Sequence, residues 1–554
     1  MDLISKVTTA VELFRTSGMA AIRGRLATLR HRLLLRRQYV KWMKTKGAID
    51  RAQIVRDIAL LPRQPKVSIV MPVYDVDEKW LRKCIDSVCG QIYENWELCI
   101  ADDASPSPHI RRVLEEYSAT DERIKVVFRE KNGHISAASN SALELVTGEF
   151  VVLLDHDDEL SADALYWVAR TIVDEPSIAM IYSDEDLIDE SGKRSRPAFK
   201  PDWSLDLFYS LNLITHLSAY KTDLLQSVGG FRIGIEGSQD YDLALRAIEV
   251  IDESQIKHIP RVLYHWRAIP GSVALSGDEK PYAHECARKA IREHFERTGK
   301  KATVEPTDLN LHRVSYAHTG KIKKVLMAVI GDGDAFCDRL VDSSYDFEIA
   351  KFEREGRLAE RLDRAVEDSD CDVVCFVNSE IKSLSSGWLF DLVSFLEDEQ
   401  IGAVGGKLLD EADIIVDGAL YLNADTGVMV ADCSLENEIG GNMLRSKVIG
   451  NFSAVSLSLM AVRRSDLIEI GGFGGSDIGP NLIDVDICLK LANAGRRIVS
   501  VPFVEGIVRS GYRRSRPSDS ELSAFKHKWK KELAYDRFYN PNLSTRNGRS
   551  EIDV

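Results

Sequence analysis

Apolar residues recur along the chain with two different periods, and these periods alternate from residue 66 onward. Short apolar runs such as VSIVMPVY (67–74) and FVVLL (150–154) predict buried strands. Between the runs, apolar positions recur every three or four residues, as they do in amphipathic helices. The alternation predicts an α/β fold with a mostly parallel, doubly wound sheet. Sheets of this kind bind their ligands at the carboxyl ends of the strands.

The second half of the chain repeats features of the first half in the same order. Three pairs of segments are similar: VVLLDHDD (151–158) and VVCFVNSE (373–380), SVGGF (227–231) and EIGGF (469–473), DYDLALRA (240–247) and DVDICLKL (484–491). An order of features that occurs twice predicts two related domains. Residues 298–322 are polar and lack a clear period, so we place the connection between the domains there.

An amphipathic helix is predicted before the first domain, over residues 20–44. Its apolar positions follow one another at intervals of four, three and four residues from Ile22 to Leu33, and the rest of its surface is strongly cationic. Two interpretations remain open. The helix packs on the following domain with a solvated basic face, or it lies on an anionic membrane surface.

Length and composition indicate a globular protein. The chain has 554 residues, of which 44% are apolar and 29% charged, so about two to four domains are expected. No apolar run reaches the roughly 18 residues that a membrane-spanning helix needs, and arginines interrupt every candidate leader segment before residue 45. The nine cysteines include no Cys-x-x-Cys pair, which favours reduced thiols in a cytoplasmic protein.

The net charge of −14 is distributed unevenly. Residues 1–46 hold eleven Lys and Arg against two acidic residues, a balance of +9, so the remaining 508 residues carry −23. A basic arm therefore precedes an acidic body. The acidic body argues against general nucleic-acid binding, because such binding needs a positive surface that displaces counterions.

Acidic residues are concentrated directly after one predicted strand, in DHDDE (155–159). Ionised carboxylates at one strand end repel each other unless a cation neutralises them. Hard divalent ions such as Mg²⁺ accept one or two protein carboxylates and leave other positions to substrate phosphates. The alternative is an acidic loop in solvent.

Other candidate residues lie at the ends of further elements. Asp102 and Asp103 end the second strand, where they either form a turn or accept a hydrogen bond from a nucleotide base. Glu236 and Asp240 follow a glycine-rich stretch at a helix start, where acids are also common caps. His265 ends another short strand and has a structural role as its alternative.

Taken together, these motifs resemble glycosyltransferase family 2, the inverting nucleotide-sugar enzymes with the GT-A fold. The resemblance covers about 66–300 and rests on six motifs in order: PVY (72–74), Asp102-Asp103, NGHISAASN (132–140), DHDD (155–158), GGF with QDYDLALR (229–246), and YHWR (264–267). YSDEDLID (182–189) and FKPDWSLDLF (199–208) further resemble a tandem-domain branch from bacterial O-antigen and surface-polysaccharide assembly.

The resemblance implies roles for individual residues of this chain. Asp240 occupies the position of the catalytic base, although Gln239 precedes it where the family usually has Glu. The nucleotide-sugar would contact Pro72, Tyr74, Asp102, Asp103 and Asp155. Mg²⁺ or Mn²⁺ would be held by Asp157 and His265, with Asp155 nearby. On the acceptor side the candidates are Asp158, Trp203, Glu236 and Trp266.

The implied reaction is a single displacement with inversion at the sugar's anomeric carbon. Asp240 would take the proton of the acceptor hydroxyl, and the metal would stabilise the departing nucleoside diphosphate. The expected donor is a UDP-, dTDP- or GDP-sugar, and the expected acceptor is a lipid-linked glycan. The expected location is the cytoplasm, with peripheral contact to the inner membrane through residues 1–46.

Two other functions are weighed against this one. A nucleotidyltransferase would need a glycine-rich phosphate loop after the first strand, but MPVYDVDEKW contains no glycine. A non-catalytic scaffold that binds glycans or partner proteins would not need the acidic and imidazole groups of the first half.

The resulting domain plan has four parts. We expect a basic helical arm at 1–65, an active GT-A domain at 66–300, a linker at 301–322, and a degenerate GT-A-like domain at 323–554. In the last domain NSE (378–380) replaces the Asp-x-Asp motif, and no histidine matches His265. A silent domain that binds acceptor or partner is favoured over a second active transferase.

Overall fold

The computed structural model describes residues 28–269, 281–331, 345–354, 357–474, 478–546 and 548–554. The chain is divided into two compact units. The first unit comprises Met43–Trp203 and Leu211–Arg313. The second unit comprises the N-terminal residues up to Trp42, the short segment Ser204–Ser210, and Val314–Val554.

The helices and strands are numbered in chain order. The helices are α1 (28–44), α2 (Arg51–Leu60), α3 (Glu78–Cys89), α4 (Pro108–Thr120), α5 (His134–Leu143), α6 (Ala164–Asp174), α7 (Leu205–Ser210), α8 (Thr222–Ser227), α9 (Gln239–Ile248), α10 (Pro281–Thr298), α11 (Leu358–Asp368), α12 (Trp388–Phe395), α13 (Arg464–Glu469), α14 (Ile483–Asn493) and α15 (Asp519–Lys528). The strands are β1 (Val67–Val73), β2 (Trp96–Asp102), β3 (Ile124–Phe128), β4 (Phe150–Leu153), β5 (Glu159–Leu160), β6 (Met180–Ile188), β7 (Arg194–Ala198), β8 (Ser218–Lys221), β9 (Ile256–Arg267), β10 (Ala302–Pro306), β11 (His312–Tyr316), β12 (Lys324–Ile330), β13 (Asp346–Phe352), β14 (Val373–Asn378), β15 (Ile381–Leu384), β16 (Ile401–Asp410), β17 (Ile415–Asp417), β18 (Ala419–Asn423), β19 (Gly427–Val430), β20 (Gly450–Asn451), β21 (Ala454–Val455), β22 (Leu459–Arg463) and β23 (Arg497–Val508).

The first unit is built on one mixed sheet with the strand order β3-β2-β1-β4-β8-β6-β9-β5. The strands β1 to β4 pair in parallel, with helices between them, as the alternating pattern predicts. Strand β8 is antiparallel to both of its neighbours, and β9 is parallel to β6. The predicted α/β class is therefore confirmed, and antiparallel strands are confined to the half of the sheet beyond β4.

The second unit repeats this sheet. Its strand order is β13-β12-β14-β22-β16-β23-β15, which matches β2-β1-β4-β8-β6-β9-β5 strand for strand. The parallel or antiparallel sense of every corresponding pair is also the same. The two related domains predicted from the repeated motifs are confirmed by this shared topology.

Helix α3 packs on β1, the strand whose carboxyl end leads to the candidate residue Tyr74. Every residue of β1 is buried, and α3 buries five side chains spaced for one helical face; the sulfur atoms of Cys84 and Met71 are 3.4 Å apart. Each fully buried aliphatic side chain contributes roughly 1.5–3 kcal/mol. Because Val73 pairs with Asp102, the next residues of both strands, Tyr74 and Asp103, emerge at the same edge.

The arm helix α1 buries a different face from the predicted one. Tyr39 and Trp42 are 2% and 3% exposed, and Trp42 Nε1 donates a hydrogen bond to Asn542 Oδ1 at 3.0 Å, all within the second unit. Leu29 and Leu33 of the predicted apolar stripe are 54% and 47% exposed, and Ile22 and Leu26 lie outside the described residues. No helix in the described ranges has the length and hydropathy needed to cross a bilayer.

Candidate active site

The loop that follows β4 carries the acidic motif and is braced from below by β9. Tyr264 Oη donates to the carboxylate of Asp158 at 2.6 Å and accepts from the backbone N–H of Asp155 at 3.2 Å. The N–H of Arg267 donates to the other Asp158 oxygen at 2.7 Å. Burial, together with the charges of Asp157 and Asp155, raises the pKa of Asp158 well above its usual range. Asp158, expected on the acceptor side, therefore supports the loop from inside.

His216 joins this loop although the sequence analysis did not select it. One ligand atom from each of Asp155, Asp158 and His216 lies within 4.8 Å of the others. Strand β8 runs antiparallel to β4, with Val152 opposite Ala219, so continuing this register places His216 opposite Asp155. No local sequence pattern indicates that strands β4 and β8 pair, and it is this pairing that brings His216 to the acidic loop.

The surroundings of His216 make it a cation. Its Nδ1 lies 3.2 Å from Glu185 Oε2, its Nε2 lies 3.8 Å from Asp155 Oδ2, and its ring stacks on Tyr264 with centroids 4.4 Å apart. Burial by itself lowers the pKa of His216, but the carboxylates of Asp155 and Glu185 outweigh it and raise the value to about 10. A divalent ion bound here would neutralise the carboxylates in place of the imidazolium. To bind the ion, the imidazole of His216 would have to be neutral.

Strand β6 supplies a row of buried carboxylates, each of which holds a histidine. The pairs are Asp184 with His258 at 2.9 Å, Glu185 with His216 at 3.2 Å, and Asp186 with His265 at 2.6 Å. These carboxylates are the DED letters of YSDEDLID. A carboxylate on one ring nitrogen orients the imidazole and fixes which nitrogen is left for a ligand, so this motif acts as a support for the site.

The donor set of the cluster suits a hard divalent cation. Carboxylate oxygens are the ligands that Mg²⁺ and Mn²⁺ prefer, and imidazole is a common companion. Of the expected metal residues Asp155, Asp157 and His265, only Asp155 belongs to the cluster found among the described residues. Asp157 is partly exposed in the same loop, where its carbonyl accepts from Arg267 Nε at 2.6 Å.

Asp240 is the second residue of α9 and lies close enough to this cluster to interact with it electrostatically. Asn212 Nδ2 donates to Asp240 Oδ2 at 2.8 Å. Burial raises the pKa of Asp240, and the charge of His216 opposes the rise. The neighbouring Gln239 side chain accepts the N–H of Gly237 at 2.8 Å and so closes the turn before the helix. A partly buried carboxylate with a raised pKa suits a general base.

The double aspartate at the end of β2 is used mainly to build the sheet edge. Both Asp103 oxygens accept the N–H of Gly133, at 3.0 and 3.1 Å, and Arg129 Nε lies 2.9 Å from Asp103 Oδ1. Asp102 is buried and accepts the N–H of Ser105 at 3.2 Å. Tyr74 is 48% exposed at the same edge, which leaves its ring accessible to a planar ligand.

The remaining sequence candidates occupy different environments. The carbonyl of Pro72 lies 3.1 Å from His156 Nδ1, and Trp203 is buried. Glu236 accepts the N–H of Gly234 in the loop before α9. The half-buried Trp266 is at the cluster, since its ring centroid lies 5.2 Å from that of His216.

Strand registers identify the corresponding positions in the second unit. Phe150 pairs with Lys221, the residue that precedes α8, and Val373 pairs with Arg463, the residue that precedes α13. Phe150 therefore corresponds to Val373, and Lys221 corresponds to Arg463. The repeated topology allows both strands to be compared residue by residue from these two points.

The second unit has lost all three groups of the Asp155, Asp158 and His216 cluster at the corresponding positions. Asp155 and Asp158 come five and eight residues after Phe150, and the matching positions after Val373 are Asn378 and Ile381. His216 comes five residues before Lys221, and the matching position before Arg463 is Ser458. Carboxylate, carboxylate and imidazole are thus replaced by amide, aliphatic and hydroxyl groups.

The base position of the second unit is occupied by an internal ion pair. Asp484 is the second residue of α14, as Asp240 is of α9, and it accepts two hydrogen bonds from the Arg514 guanidinium at 2.8 and 2.7 Å. Arg514 also lies 3.7 Å from the buried Asp417. The cavity beside them measures about 10 Å³, which is close to the minimum for one water molecule.

Residues 68–229 match the family model "Glycosyl transferase family 2". The chain is 34% identical over 549 residues to "Uncharacterized protein y4gI" of Sinorhizobium fredii, covering 91% of this chain and 60% of that protein. It is 29% identical over 553 residues to "O-antigen biosynthesis protein RfbC" of Myxococcus xanthus, covering 91% and 42%. The chain thus spans about half the length of these relatives. The mannosyltransferase PcManGT from Pyrobaculum calidifontis, solved with GDP-Man and Mn²⁺, is 20% identical, with 50% and 78% covered and a TM-score of 0.33.

Proposed function

Residues 68–229 are a family 2 glycosyltransferase domain, and on this premise we propose that the first unit transfers a sugar from a nucleotide-sugar to a hydroxyl of a growing bacterial surface polysaccharide, with inversion. The observation that carries the proposal is the meeting of Asp155, Asp158 and His216 at the end of β4. This cluster offers a cation site for the donor diphosphate, and Asp240 supplies a base nearby. The similarity to an O-antigen biosynthesis protein over 91% of the chain supports the polysaccharide acceptor.

The donor half of the reaction depends on the loop after β4. Asp155 and His216 would hold Mg²⁺ or Mn²⁺, with Asp157 available from the same loop. Such an ion, when bound, stabilises the charge that develops on the leaving diphosphate. Tyr74 stands at the neighbouring strand end to stack on the nucleotide base. Tyr264 and Glu185 bind neither donor nor metal but keep Asp155, Asp158 and His216 in place.

The acceptor half depends on Asp240. Its carboxylate takes the proton of the attacking hydroxyl, while Asn212 Nδ2 donates a hydrogen bond to Oδ2. A single displacement of this kind inverts the anomeric centre and needs no covalent intermediate. Transfer occurs in the first unit alone, because Arg514 occupies Asp484 and the counterparts of Asp155, Asp158 and His216 are neutral. Glu380, the counterpart of Asp157, lies 2.9 Å from Arg509 Nε.

The donor is identified by thermal stabilisation. We expect one nucleotide-sugar from a panel of UDP-, GDP- and dTDP-sugars to raise the Tm by several degrees in the presence of Mn²⁺ or Mg²⁺. Ligand at 100 times its Kd stabilises by about 2.7 kcal/mol, and domains of this size shift by roughly 2–4 °C per kcal/mol. The same sugar without the divalent ion is the control. A panel in which no donor shifts the Tm, or shifts it equally with EDTA, would contradict the proposal.

A lipid-linked acceptor and peripheral contact with the cytoplasmic face of the inner membrane are also proposed. The described part of α1 supports this contact, because Leu29, Leu33 and Leu34 are exposed beside the basic residues of the arm. Aliphatic and cationic side chains on one helix bind an anionic interface by combining apolar burial with charge attraction.

Membrane contact is tested with the full chain. The double variant Leu29→Asp, Leu33→Asp should bind vesicles of phosphatidylglycerol and phosphatidylcholine at least about 10-fold more weakly than the wild type, with an unchanged Tm because both side chains are exposed. Val55→Asp, at a similarly exposed position of α2, is the matched control. Equal vesicle binding by the double variant and the wild type would show that α1 does not contact the membrane.

A further inference from the structure

Helix α7 belongs to one unit by packing and to the other by its place in the sequence. It comes from FKPDWSLDLF, a motif that the proposed reaction does not use. The segment Ser204–Ser210, which contains α7, is part of the second unit, whereas Trp203 and Leu211 on either side of this segment lie in the first. The second unit therefore holds a short piece of the chain that runs between two parts of the first.

Buried polar contacts hold α7 inside the second unit. Asp206 Oδ2 accepts from Arg497 Nε at 2.9 Å and from Asn451 Nδ2 at 2.6 Å, and its N–H donates to Asn451 Oδ1 at 3.0 Å. Asp206 and Asn451 are almost completely buried. Buried charges are kept only when they are paired, because an unpaired one is strongly destabilising. Asp206 is thus an anchor with one defined position.

Close packing adds to this anchor. A Cβ atom built on Gly450 of β20 would lie 3.3 Å from the Cβ of Leu207, which is tighter than most such contacts. Glycine at this position lets α7 approach the strand directly. Ser204 Oγ donates to Asn451 Oδ1 at 3.0 Å at the start of the segment, so the segment is fixed at both the helix and the residue before it.

The chain that leaves α7 leads at once to the candidate base. Asn212 is the second residue after Ser210, and its Nδ2 is the donor to Asp240 Oδ2 at 2.8 Å. Thr215 Oγ1 donates to the carbonyl of Asn212 at 3.1 Å and shapes the same turn. Asn212 Oδ1 is buried and has no hydrogen-bond partner in the described structure. Asn212 is thus held in this turn with its amide nitrogen directed at Asp240.

We infer that Asn212 is a positioning residue for Asp240, and that the second unit sets its position by anchoring α7 through Asp206 and Arg497. The second unit then contributes to transfer without a reaction of its own. This inference rests on the proposed function, in which Asp240 is the base. It also gives the FKPDWSLDLF motif a role. Asp206 of this motif anchors α7, and the chain that leaves α7 places Asn212 beside Asp240.

The test is a double-mutant cycle between Asn212 and Arg497, measured as kcat and as the Kd of the donor with Mn²⁺. Asn212→Ala should lower kcat about 10-fold, the effect of losing one hydrogen bond to a charged group, and leave the donor Kd within about 2-fold. Arg497→Met should lower kcat about 5-fold or more with the same unchanged Kd. In the Asn212→Ala background Arg497→Met should add almost nothing, since the anchor acts through Asn212.

Three further variants make the result specific. Arg497→Lys retains the cation and should keep most of kcat. Arg496→Met, which breaks the more exposed pair with Glu469, should leave kcat unchanged. Ser204→Ala removes a single hydrogen bond and should behave as a milder Arg497→Met, with about a 2-fold loss of kcat; it replaces Arg497→Met in the cycle if the latter does not fold.

The outcomes separate the inference from the proposed function. The inference is overturned if Arg497→Met, or Ser204→Ala in its place, lowers kcat by the same factor in the wild type and in Asn212→Ala. It is also overturned if Asn212→Ala has the kcat of the wild type. Asp240→Asn is measured in the same series. If Asp240→Asn retains turnover, the base assignment fails; if it is inactive while Asn212→Ala is fully active, only the positioning role fails.

Discussion

Asp240→Asn is expected to lower kcat by about 10²–10⁴-fold, the usual contribution of a general base, and to leave the donor Kd within about 2-fold. The amide has nearly the same shape as the carboxylate and can still contact Asn212, but it cannot take the proton of the acceptor hydroxyl. The loss should therefore appear in the chemical step and not in binding. Quenched-flow single turnovers and calorimetric titration of the donor measure the two quantities separately.

The pH profile gives the same assignment a second readout. Burial raises the pKa of Asp240, and only its deprotonated form can act as base. In the wild type kcat should rise with pH, with its midpoint above the pKa of an ordinary aspartate. In Asp240→Asn the residual kcat should not show this rise with pH.

The second unit supplies a matched control at the corresponding helix position. Asp484→Asn should have wild-type kcat, because Asp484 is held by Arg514 and the N–H of Leu457, and the cavity beside it measures about 10 Å³. Its effect should be on stability, since replacing the carboxylate weakens a buried ion pair. A large loss of turnover in a folded Asp484→Asn protein would indicate a second active site, and full turnover in Asp240→Asn would remove Asp240 from the mechanism.

The residues that sequence reasoning found are those that local patterns identify. Asp155 follows a strand-like apolar run, and Asp240 begins an amphipathic helix, so both could be placed at element ends without knowing the fold. His216 could not be found in this way, because it joins Asp155 only through the antiparallel register of β4 and β8. Sequence periodicity indicates that a strand exists but not which strand lies beside it.

The same limit explains the other differences. Arg514 reaches Asp484 from 30 residues away in the chain, so the internal ion pair of the second unit is invisible in the motif DVDICLKL. The stripe from Ile22 to Leu33 is a regular amphipathic pattern, yet the buried side chains of α1 are the aromatic residues near its end, because Asn542 of the C-terminal segment binds Trp42. In both cases a partner distant in sequence decides which side chain is buried.

The cation site gives the second large effect. Asp155→Ala should abolish detectable Mn²⁺ binding in the presence of the nucleoside diphosphate, and His216→Asn should weaken it by about 10–100-fold, the range for groups that ligate or orient a metal site. Asp155 supplies a charged oxygen at the cluster, and His216 supplies a nitrogen oriented by Glu185. Titration of free Mn²⁺ by its electron paramagnetic resonance signal measures the affinity without relying on turnover.

Two histidine variants decide which imidazole serves the ion. His258→Asn changes a histidine held by the same strand, through Asp184, but outside the cluster, and it should leave the Mn²⁺ affinity unchanged in folded protein. His265→Asn tests the residue that the family resemblance implies. Because His265 Nδ1 is held by Asp186 and the ring lies outside the group formed by Asp155, Asp158 and His216, its loss should weaken Mn²⁺ binding less than His216→Asn does. The opposite order of effects would move the metal site from His216 to His265 and leave His216 as the counter-charge of Asp155.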